Sequence, residues 1–190
     1  FALALSLALA ALGCSSGDAP QAPVTAPPAS EATAPATPAA AATAPVLLFV
    51  GDSLTAGFGL AVDEAWVAHV GRALTAAGSP WTVRNAGVSG DTTAGVLRRL
   101  DWLLTPDVGA VFLVIGGNDG LRGLPLSDVA SNLDGILTRL SAGGRPVFLG
   151  GMRIPPNYGE AYAEGFAALF PAAAKAHKLP LMPFFLAPVA

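Results

Sequence analysis

Three short polar motifs contain the residue types that acyl transfer requires, and each one follows an apolar segment. The first is residues 51–57, GDSLTAG, in which Ser53 could act as a nucleophile. A serine hydroxyl is a weak nucleophile and needs a base to activate it. The motif differs from the Gly-x-Ser-x-Gly elbow of the α/β-hydrolases, and an ordinary helix cap at Ser53 is an alternative interpretation.

The second and third motifs could stabilise the oxyanion that such an attack produces. Residues 85–93, NAGVSGDTT, place Gly90 ahead of a helix, where its backbone N–H could face a developing oxyanion. Residues 115–120, IGGNDG, place Asn118 where its side-chain amide could donate to the same oxyanion. Each motif alone also has a structural interpretation, as a glycine turn with Asp91 as the helix cap or as a turn asparagine. Three such motifs after three successive strands together favour an active site.

The elements that must position these motifs follow from the hydrophobic periodicity. Fully apolar runs alternate with segments of helical periodicity from residue 45 onward, which predicts a parallel sheet covered by helices on both faces. The expected fold class is α/β, a three-layer α/β/α sandwich whose ligand crevice lies beyond the carboxyl ends of the strands. Predicted strands cover residues 46–51, 81–85, 110–115, 146–150 and 181–184, and predicted helices cover residues 63–77, 92–104, 126–140 and 158–177.

The composition restricts the partners of this domain. Only 12% of the 190 residues are charged and the net charge is −3, with no basic stripe, so nucleic acid is not an expected partner. No cluster of His, Cys and carboxylates has metal-ligand spacing, and the sequence has neither a phosphate loop nor a dinucleotide fingerprint. We therefore expect no metal and no cofactor, and the sequence does not indicate an oligomeric state.

The N-terminal segments differ sharply from the rest of the chain. Residues 1–13, FALALSLALAALG, form an apolar run of signal-peptide length, too short to span a bilayer. Cys14 follows in a context that resembles a bacterial lipobox, and an ordinary signal peptide with an incidental cysteine is the alternative. Residues 15–44 are rich in Ala, Pro and Thr, which predicts a disordered linker before a domain at residues 45–190.

These segments predict an exported protein of the bacterial cell envelope. The protein would be either periplasmic or attached to a membrane by acyl chains on Cys14, since several acyl chains give stable anchoring where one does not. Because residue 1 is Phe rather than Met, we expect a few residues to precede it.

The motifs and their surroundings resemble the SGNH (GDSL-type) hydrolase superfamily, and more narrowly its arylesterase, thioesterase I and lysophospholipase (TesA-like) branch. The similarity runs in order through residues 46–186 and includes RIPPNYG at 153–159 and LPLMPFFL at 179–186. The resemblance implies a flavodoxin-like fold with Ser53 as the nucleophile. It also implies an oxyanion hole formed by the backbone N–H groups of Ser53 and Gly90 and by the Asn118 side chain. The segment after Asn118 and the loop at 155–158 would line the acyl pocket.

The resemblance further implies residues that this sequence does not contain. Members of the superfamily carry an Asp-x-x-His block near the C-terminus, in which His is the general base and Asp orients its imidazole. The chain has two histidines, His69 and His177, and both are interpreted as structural. We therefore expect the natural protein to continue beyond Ala190 with the catalytic Asp, the catalytic His and a closing helix.

These observations predict a serine esterase that hydrolyses carboxylic esters or thioesters through an acyl-enzyme on Ser53. The resemblance implies aryl esters, acyl thioesters or lysophospholipids as the small-molecule substrates. Two alternatives remain open. One is a non-catalytic surface lipoprotein that binds acyl chains or glycans, and the other is an acyltransferase of the same superfamily.

Overall fold

The computed structural model describes residues 44–187 and 189, which form a parallel sheet with helices on both faces. No helix in these residues is both long and apolar enough to cross a membrane. Residues 1–14, including Cys14, and all but the last residue of the predicted linker lie outside the described residues. In chain order the elements are β1 (Val46–Gly51), α1 (Ser53–Ala56), α2 (Trp66–Ala76), β2 (Thr82–Gly87), α3 (Thr93–Leu103), β3 (Val108–Val114), α4 (Gly117–Leu121), α5 (Leu126–Ser141), β4 (Val147–Gly150), α6 (Glu160–His177) and β5 (Leu181–Met182).

The five strands are arranged in the order β2-β1-β3-β4-β5, and every neighbouring pair is parallel. This confirms the predicted α/β class. All strand carboxyl ends therefore lie at one edge of the sheet, which we call the carboxyl edge. The loops that follow β1, β2 and β3 carry the three polar motifs, so the topology brings the motifs to this edge.

Successive strand side chains point to opposite faces, and each face of the sheet has its own apolar layer. Leu48 and Val50 of β1 belong to the main core, together with residues of α3, α5 and α6. Phe49, between them, faces α2 and meets the Trp66 ring edge-on at a centroid distance of 5.1 Å. Because both of their faces are covered, the central strands β1 and β3 are apolar along their whole length, as the sequence predicted, whereas the edge strand β2 contains Arg84 and Asn85.

Element boundaries differ from the sequence prediction where local polar contacts compete with periodicity. The second helix begins at Trp66 rather than at residue 63, because the Glu64 carboxylate accepts the Ala61 N–H at 3.0 Å in a preceding turn. The last strand spans only Leu181–Met182, because Pro183 has no N–H to extend the ladder.

The end of α6 lies at the amino edge of the sheet, because this helix runs antiparallel to the strands. His177 is its last residue, and its Nε2 lies 2.8 Å from the Asp134 carboxylate of α5. Lys178 follows with a φ of 55°, the only positive φ outside glycine in the described part of the chain. The His177–Asp134 contact therefore joins α5 and α6 near the amino edge, away from the three polar motifs.

Candidate active site

Ser53 is the first residue of α1 and lies half-buried just beyond the carboxyl end of β1. The cap of this short helix is Asp52, whose Oδ1 accepts the Leu54 N–H at 3.0 Å. The interpretation of Ser53 as the helix cap is therefore wrong, and its hydroxyl is not needed for capping. Burial raises the pKa of Asp52, against the lowering effect of the Leu54 N–H, and the nearby Asp91 and Asp119 charges raise this pKa further.

The Ser53 turn is supported from α2 by an aromatic side chain. The indole Nε1 of Trp66 donates to the Leu54 carbonyl at 2.9 Å. The same ring packs against Phe49, Phe112 and Phe185 on the α2 face of the sheet. Tertiary packing therefore fixes the first turn of α1, which is too short to be stable alone.

The edge strand β2 supports the same turn from the other side. Asn85 Nδ2 donates to the Thr55 carbonyl at 2.7 Å. A Cβ on Gly87 would lie 2.2 Å from the Ala56 nitrogen, so only glycine allows the strand and α1 to approach this closely.

Gly90 occupies the third position of a tight turn between β2 and α3. The Asp91 N–H donates to the Val88 carbonyl at 3.0 Å, and Gly90 has a φ of 82°. A type II turn requires a positive φ at this position, which explains the glycine.

The residue that caps α3 is Thr92 rather than Asp91. Thr92 Oγ1 accepts the Gly95 N–H at 3.2 Å, so the interpretation of Asp91 as the cap is wrong. The Asp91 carboxylate instead pairs with Arg99 Nε at 2.8 Å, and the same guanidinium donates to the Gly51 carbonyl at 3.2 Å. This ion pair therefore connects the Gly90 turn to the end of β1.

Asn118 lies in α4 and faces the Gly90 turn. Its Nδ2 donates to the Asp91 carbonyl at 2.8 Å. The neighbouring Asp119 is buried, and its carboxylate accepts both the N–H and the hydroxyl of Thr93. Asp52 and Asp119 therefore both fix loop geometry.

Ser53 and Asn118 border the same cavity, which has a volume of about 290 Å³. Gly90 is not among the residues that line this cavity; it precedes Asp91, whose carbonyl accepts the Asn118 amide. A larger cavity of about 520 Å³, between α2 and β2, contains no residue of the three motifs. The apolar part of the Ser53 cavity is lined by Leu54, Leu121, Met152, Ile154, Pro155 and Leu186.

The predicted acyl-pocket segments are only partly in this cavity. Leu121, after Asn118, and Pro155 line it. Tyr158 does not, because its ring packs against Gly123 and its hydroxyl donates to the Leu121 carbonyl at 3.3 Å. Tyr158 therefore supports the cavity wall from behind.

The two histidines do not border this cavity. His69 is exposed on α2, and His177 pairs with Asp134 at the amino edge. No group of three or more His, Cys, Asp or Glu residues within 44–187 and 189 could hold a metal ion.

The comparison with known proteins decides the family. Residues 49–190 match the GDSL-like Lipase/Acylhydrolase family. The chain belongs to this family. The chain is similar to the esterase TesA of Pseudomonas aeruginosa, which is 43% identical over 141 residues, covering 74% of this chain and 70% of that protein.

Two further proteins are similar over the same domain. The thioesterase 1/protease 1/lysophospholipase L1 of Escherichia coli K12 is 40% identical over 141 residues, covering 74% of this chain and 66% of that protein. The crystal structure of AlinE4, an SGNH-hydrolase family esterase, has a TM-score of 0.74 at 43% identity, covering 77% of this chain and 79% of that chain. The predicted SGNH (GDSL-type) membership and the predicted class of ester-bond hydrolase are confirmed.

Sequence reasoning missed the side chains that connect the three motifs. Asp91 and Arg99 are eight residues apart, a spacing of about two helical turns that could have indicated a pair. The contact between Asp119 and Thr93 spans 26 residues and left no local signal.

Proposed function

We propose that Ser53 is the nucleophile of a serine esterase that hydrolyses carboxylic esters or thioesters. The observation that carries this proposal is the shared cavity of Ser53 and Asn118 at the carboxyl edge of the sheet. A nucleophile and an oxyanion donor meet an apolar wall there, which is the composition expected of a binding site for acyl groups.

Acylation would begin with attack of Ser53 Oγ on the carbonyl carbon while a base removes the hydroxyl proton. The carbonyl oxygen becomes an oxyanion and accepts hydrogen bonds from the Ser53 and Gly90 N–H groups and from Asn118 Nδ2. One N–H of the Asn118 amide is used by the Asp91 carbonyl, and the other is available to the oxyanion.

The tetrahedral intermediate then collapses. Its bond to the leaving oxygen or sulfur breaks, the leaving group takes the proton from the base, and an acyl ester on Ser53 remains. Water then attacks the carbonyl carbon of this ester while the base removes a proton from the water. The bond to Ser53 Oγ breaks, Oγ takes the proton from the base, and the carboxylic acid is released. We assign the base to the histidine of the Asp-x-x-His pair that the family resemblance implies, because neither His69 nor His177 borders the Ser53 cavity.

The substrate class follows from the cavity and the relatives. Six apolar side chains line the cavity, which favours an alkyl or aryl acyl group. The relatives are named as an esterase and as a thioesterase and lysophospholipase. We propose aryl esters, acyl thioesters and lysophospholipids as substrates. A series of p-nitrophenyl esters of increasing acyl length would measure the preferred acyl length, and one substrate of each class with that acyl group would measure the preference among the classes.

The assignment of Ser53 is tested by covalent labelling of the full-length gene product. A fluorophosphonate should label the native protein at Ser53, and p-nitrophenyl butyrate should be hydrolysed. Ser53→Ala should abolish both signals, whereas Ser89→Ala, in the adjacent exposed turn, should retain both. Labelling that survives Ser53→Ala unchanged would exclude this nucleophile. Transfer of the acyl group to an added acceptor alcohol, in preference to water, would instead indicate an acyltransferase.

We further propose that the protein is exported and attached to a membrane through Cys14. The apolar run at 1–13 and the linker at 15–44 support this proposal, because together they resemble a lipobox followed by a spacer. In cells, the native protein should fractionate with membranes and Cys14→Ala should release it. Equal membrane association of the two proteins would contradict lipid attachment.

A further inference from the structure

The two oxyanion donors outside the Ser53 turn come from separate loops. Gly90 belongs to the loop between β2 and α3, and Asn118 belongs to α4, which follows β3. An oxyanion hole works only if its donors are held in place before the reaction, about 2.7–3.1 Å from the developing charge. The contacts that set the spacing between these two loops therefore bear directly on the rate.

The direction of the Asn118 amide depends on one backbone carbonyl. Its Nδ2 donates to the Asp91 oxygen at 2.8 Å. The geometry of an amide NH₂ group fixes the second N–H once the first is bonded. A shift of the Asp91 carbonyl would therefore turn the second N–H away from the cavity.

Asp119 holds the segment that carries this carbonyl. Its two carboxylate oxygens accept the Thr93 N–H at 2.9 and 3.2 Å, and Oδ1 accepts the Thr93 hydroxyl at 2.6 Å. Asp119 is 1% exposed and Thr93 is fully buried, so water does not replace these bonds. Asn132 of α5 completes the cluster by donating to Thr93 Oγ1 at 3.2 Å.

The cluster joins the two loops by two parallel routes. Asn118 holds the Asp91 carbonyl, and the next residue along the chain, Asp119, holds Thr93, two residues beyond Asp91. The start of α3 and the start of α4 are therefore bonded to each other at two consecutive residues of α4. A displacement of either loop breaks the partly buried Asn118–Asp91 bond and the buried Asp119–Thr93 bonds, and the buried groups have no substitute partner.

We propose that Asp119 is a positioning residue of the oxyanion hole. It acts through Thr93 and the Asp91 carbonyl to aim the Asn118 amide, and it neither touches the substrate nor transfers a proton. This inference rests on the proposed function of Ser53, Gly90 and Asn118. It goes beyond that function by assigning the geometry of the hole to a carboxylate outside it.

The chemistry of the contact explains why a carboxylate is needed. Both groups of Thr93 that face Asp119 are donors, and a carboxylate is an acceptor at both oxygens. In Asp119→Asn one oxygen becomes an NH₂ group, which opposes a donor instead of accepting from it. Thr93→Ser keeps both donors, whereas Thr93→Val keeps only the N–H.

The test uses the full-length gene product and separates binding from the chemical step. For a p-nitrophenyl ester, Asp119→Asn should lower kcat about 30- to 300-fold, near the effect of losing one oxyanion donor, with KM within about threefold. Affinity for an alkyl boronic acid, which forms a tetrahedral anion on the serine, should fall by the same factor as kcat. Affinity for the corresponding fatty acid should not change.

Two further variants control for a purely structural role. Thr93→Ser should retain kcat and boronate affinity to within about threefold of the native values, because both donors remain. Asp128→Asn, an exposed carboxylate on α5, should leave all parameters unchanged. If Asp119→Asn does not fold, Thr93→Val provides the same test, and we again expect kcat to fall while KM stays within about threefold of the native value.

The outcomes distinguish this inference from the proposed function. Asp119→Asn with native kcat and boronate affinity, at lower stability, would overturn the positioning role while Ser53 labelling persists. A fall in kcat without a parallel fall in boronate affinity would overturn it as well. Failure of the proposed function would appear differently, as a native protein that neither binds boronate nor is labelled at Ser53.

Discussion

The turns that meet at the carboxyl edge are held by different kinds of contact. The first, at residues 51–57, is termed the packed turn because shape holds it in place. The Trp66 indole contacts it from α2, and Gly87 allows the edge strand to approach it without a side chain between them. These two contacts are neutral, and Asn85 adds a further neutral hydrogen bond to the Thr55 carbonyl, so the packed turn depends mainly on side-chain shape and neutral hydrogen bonds.

The other two turns, at residues 88–93 and 116–122, are termed the charged turns. Asp91 pairs with Arg99, and Asp119 accepts three hydrogen bonds from Thr93. Their geometry depends on carboxylates that must remain correctly partnered. One site can therefore combine a nucleophile that is held by packing with oxyanion donors that are held by charged groups. The packed turn and the charged turns should then be disrupted by different substitutions.

The largest expected effect tests the packed turn by adding one methyl group. Gly87→Ala would place a Cβ 2.2 Å from the Ala56 nitrogen, which is backbone and cannot rotate away. The free energy of unfolding should fall by about 3 kcal/mol or more, measured by urea denaturation. Gly135→Ala in α5 is the matched control, since its Cβ meets only the end of the Leu97 side chain at 3.4 Å. Equal losses in the two variants would contradict the packed description.

The next effect tests the charged turns by removing a cation. Arg99→Met leaves the Asp91 carboxylate, 11% exposed, without its partner. The free energy of unfolding should fall by about 2 kcal/mol, less than for a fully buried pair. Arg84→Met, which breaks the exposed pair with Asp107, should cause a smaller loss that shrinks in added salt. A double-mutant cycle with Asp91→Asn that gives no coupling would contradict the charged description.

A smaller effect tests the neutral hydrogen bond to the packed turn. Trp66→Phe keeps an aromatic ring but leaves the Leu54 carbonyl without the indole donor. The expected loss is about 1–2 kcal/mol by urea denaturation, the cost of one unpaired polar group and a smaller ring. Trp102→Phe is the control, because Trp102 is 86% exposed and should change stability little. If both substitutions have the same effect, the indole hydrogen bond does not support the turn.

The smallest effect tests the one carboxylate of the packed turn. Burial raises the pKa of Asp52 above its usual 3.8, so its ionisation opposes folding. Asp52→Asn should therefore gain stability relative to the native protein as pH rises from below 3.8 through the raised pKa, and the gain should disappear in acid.

Asp107 should change stability with pH in the opposite direction to Asp52, when the free energy of unfolding of each variant is measured by urea denaturation over a series of pH values. Hydrogen bonds from Thr105 and Arg84 lower the pKa of Asp107, so its contribution is present above 3.8 and disappears as pH falls through the lowered pKa. Asp107→Asn should be less stable than the native protein at neutral pH and equal to it in acid. Parallel pH profiles for the two variants would contradict the assigned causes.

Much of the fold could be predicted from the sequence because burial imposes a simple pattern. Strands covered on both faces must be apolar throughout, and residues 46–51 and 110–115 were recognised on that basis. Boundaries were less accurate where one polar contact decided them, as when Glu64 formed a turn that delayed α2. Such a contact depends on a three-dimensional approach that periodicity does not record.

The site was predictable to the extent that topology alone determines it. Parallel strands bring Ser53, Gly90 and Asn118 to one edge whatever the details of the loops, so their proximity follows from the strand pattern. The contact of Asp119 with Thr93 could not be predicted, because it joins residues 26 apart through the packing of two helices. The identity of the cap at Asp52 rather than Ser53 depended on the backbone path at the end of β1.

Lys178 is a position at which a substitution could increase the stability of the protein. Its φ of 55° places an L-residue in the left-handed region, which costs roughly 1 kcal/mol that glycine would not incur. It lies after α6 at the opposite edge of the sheet from Ser53. Lys178→Gly would therefore raise heat tolerance without altering the cavity, and a library of cavity variants built on that background could accept destabilising substitutions that the natural sequence would not tolerate.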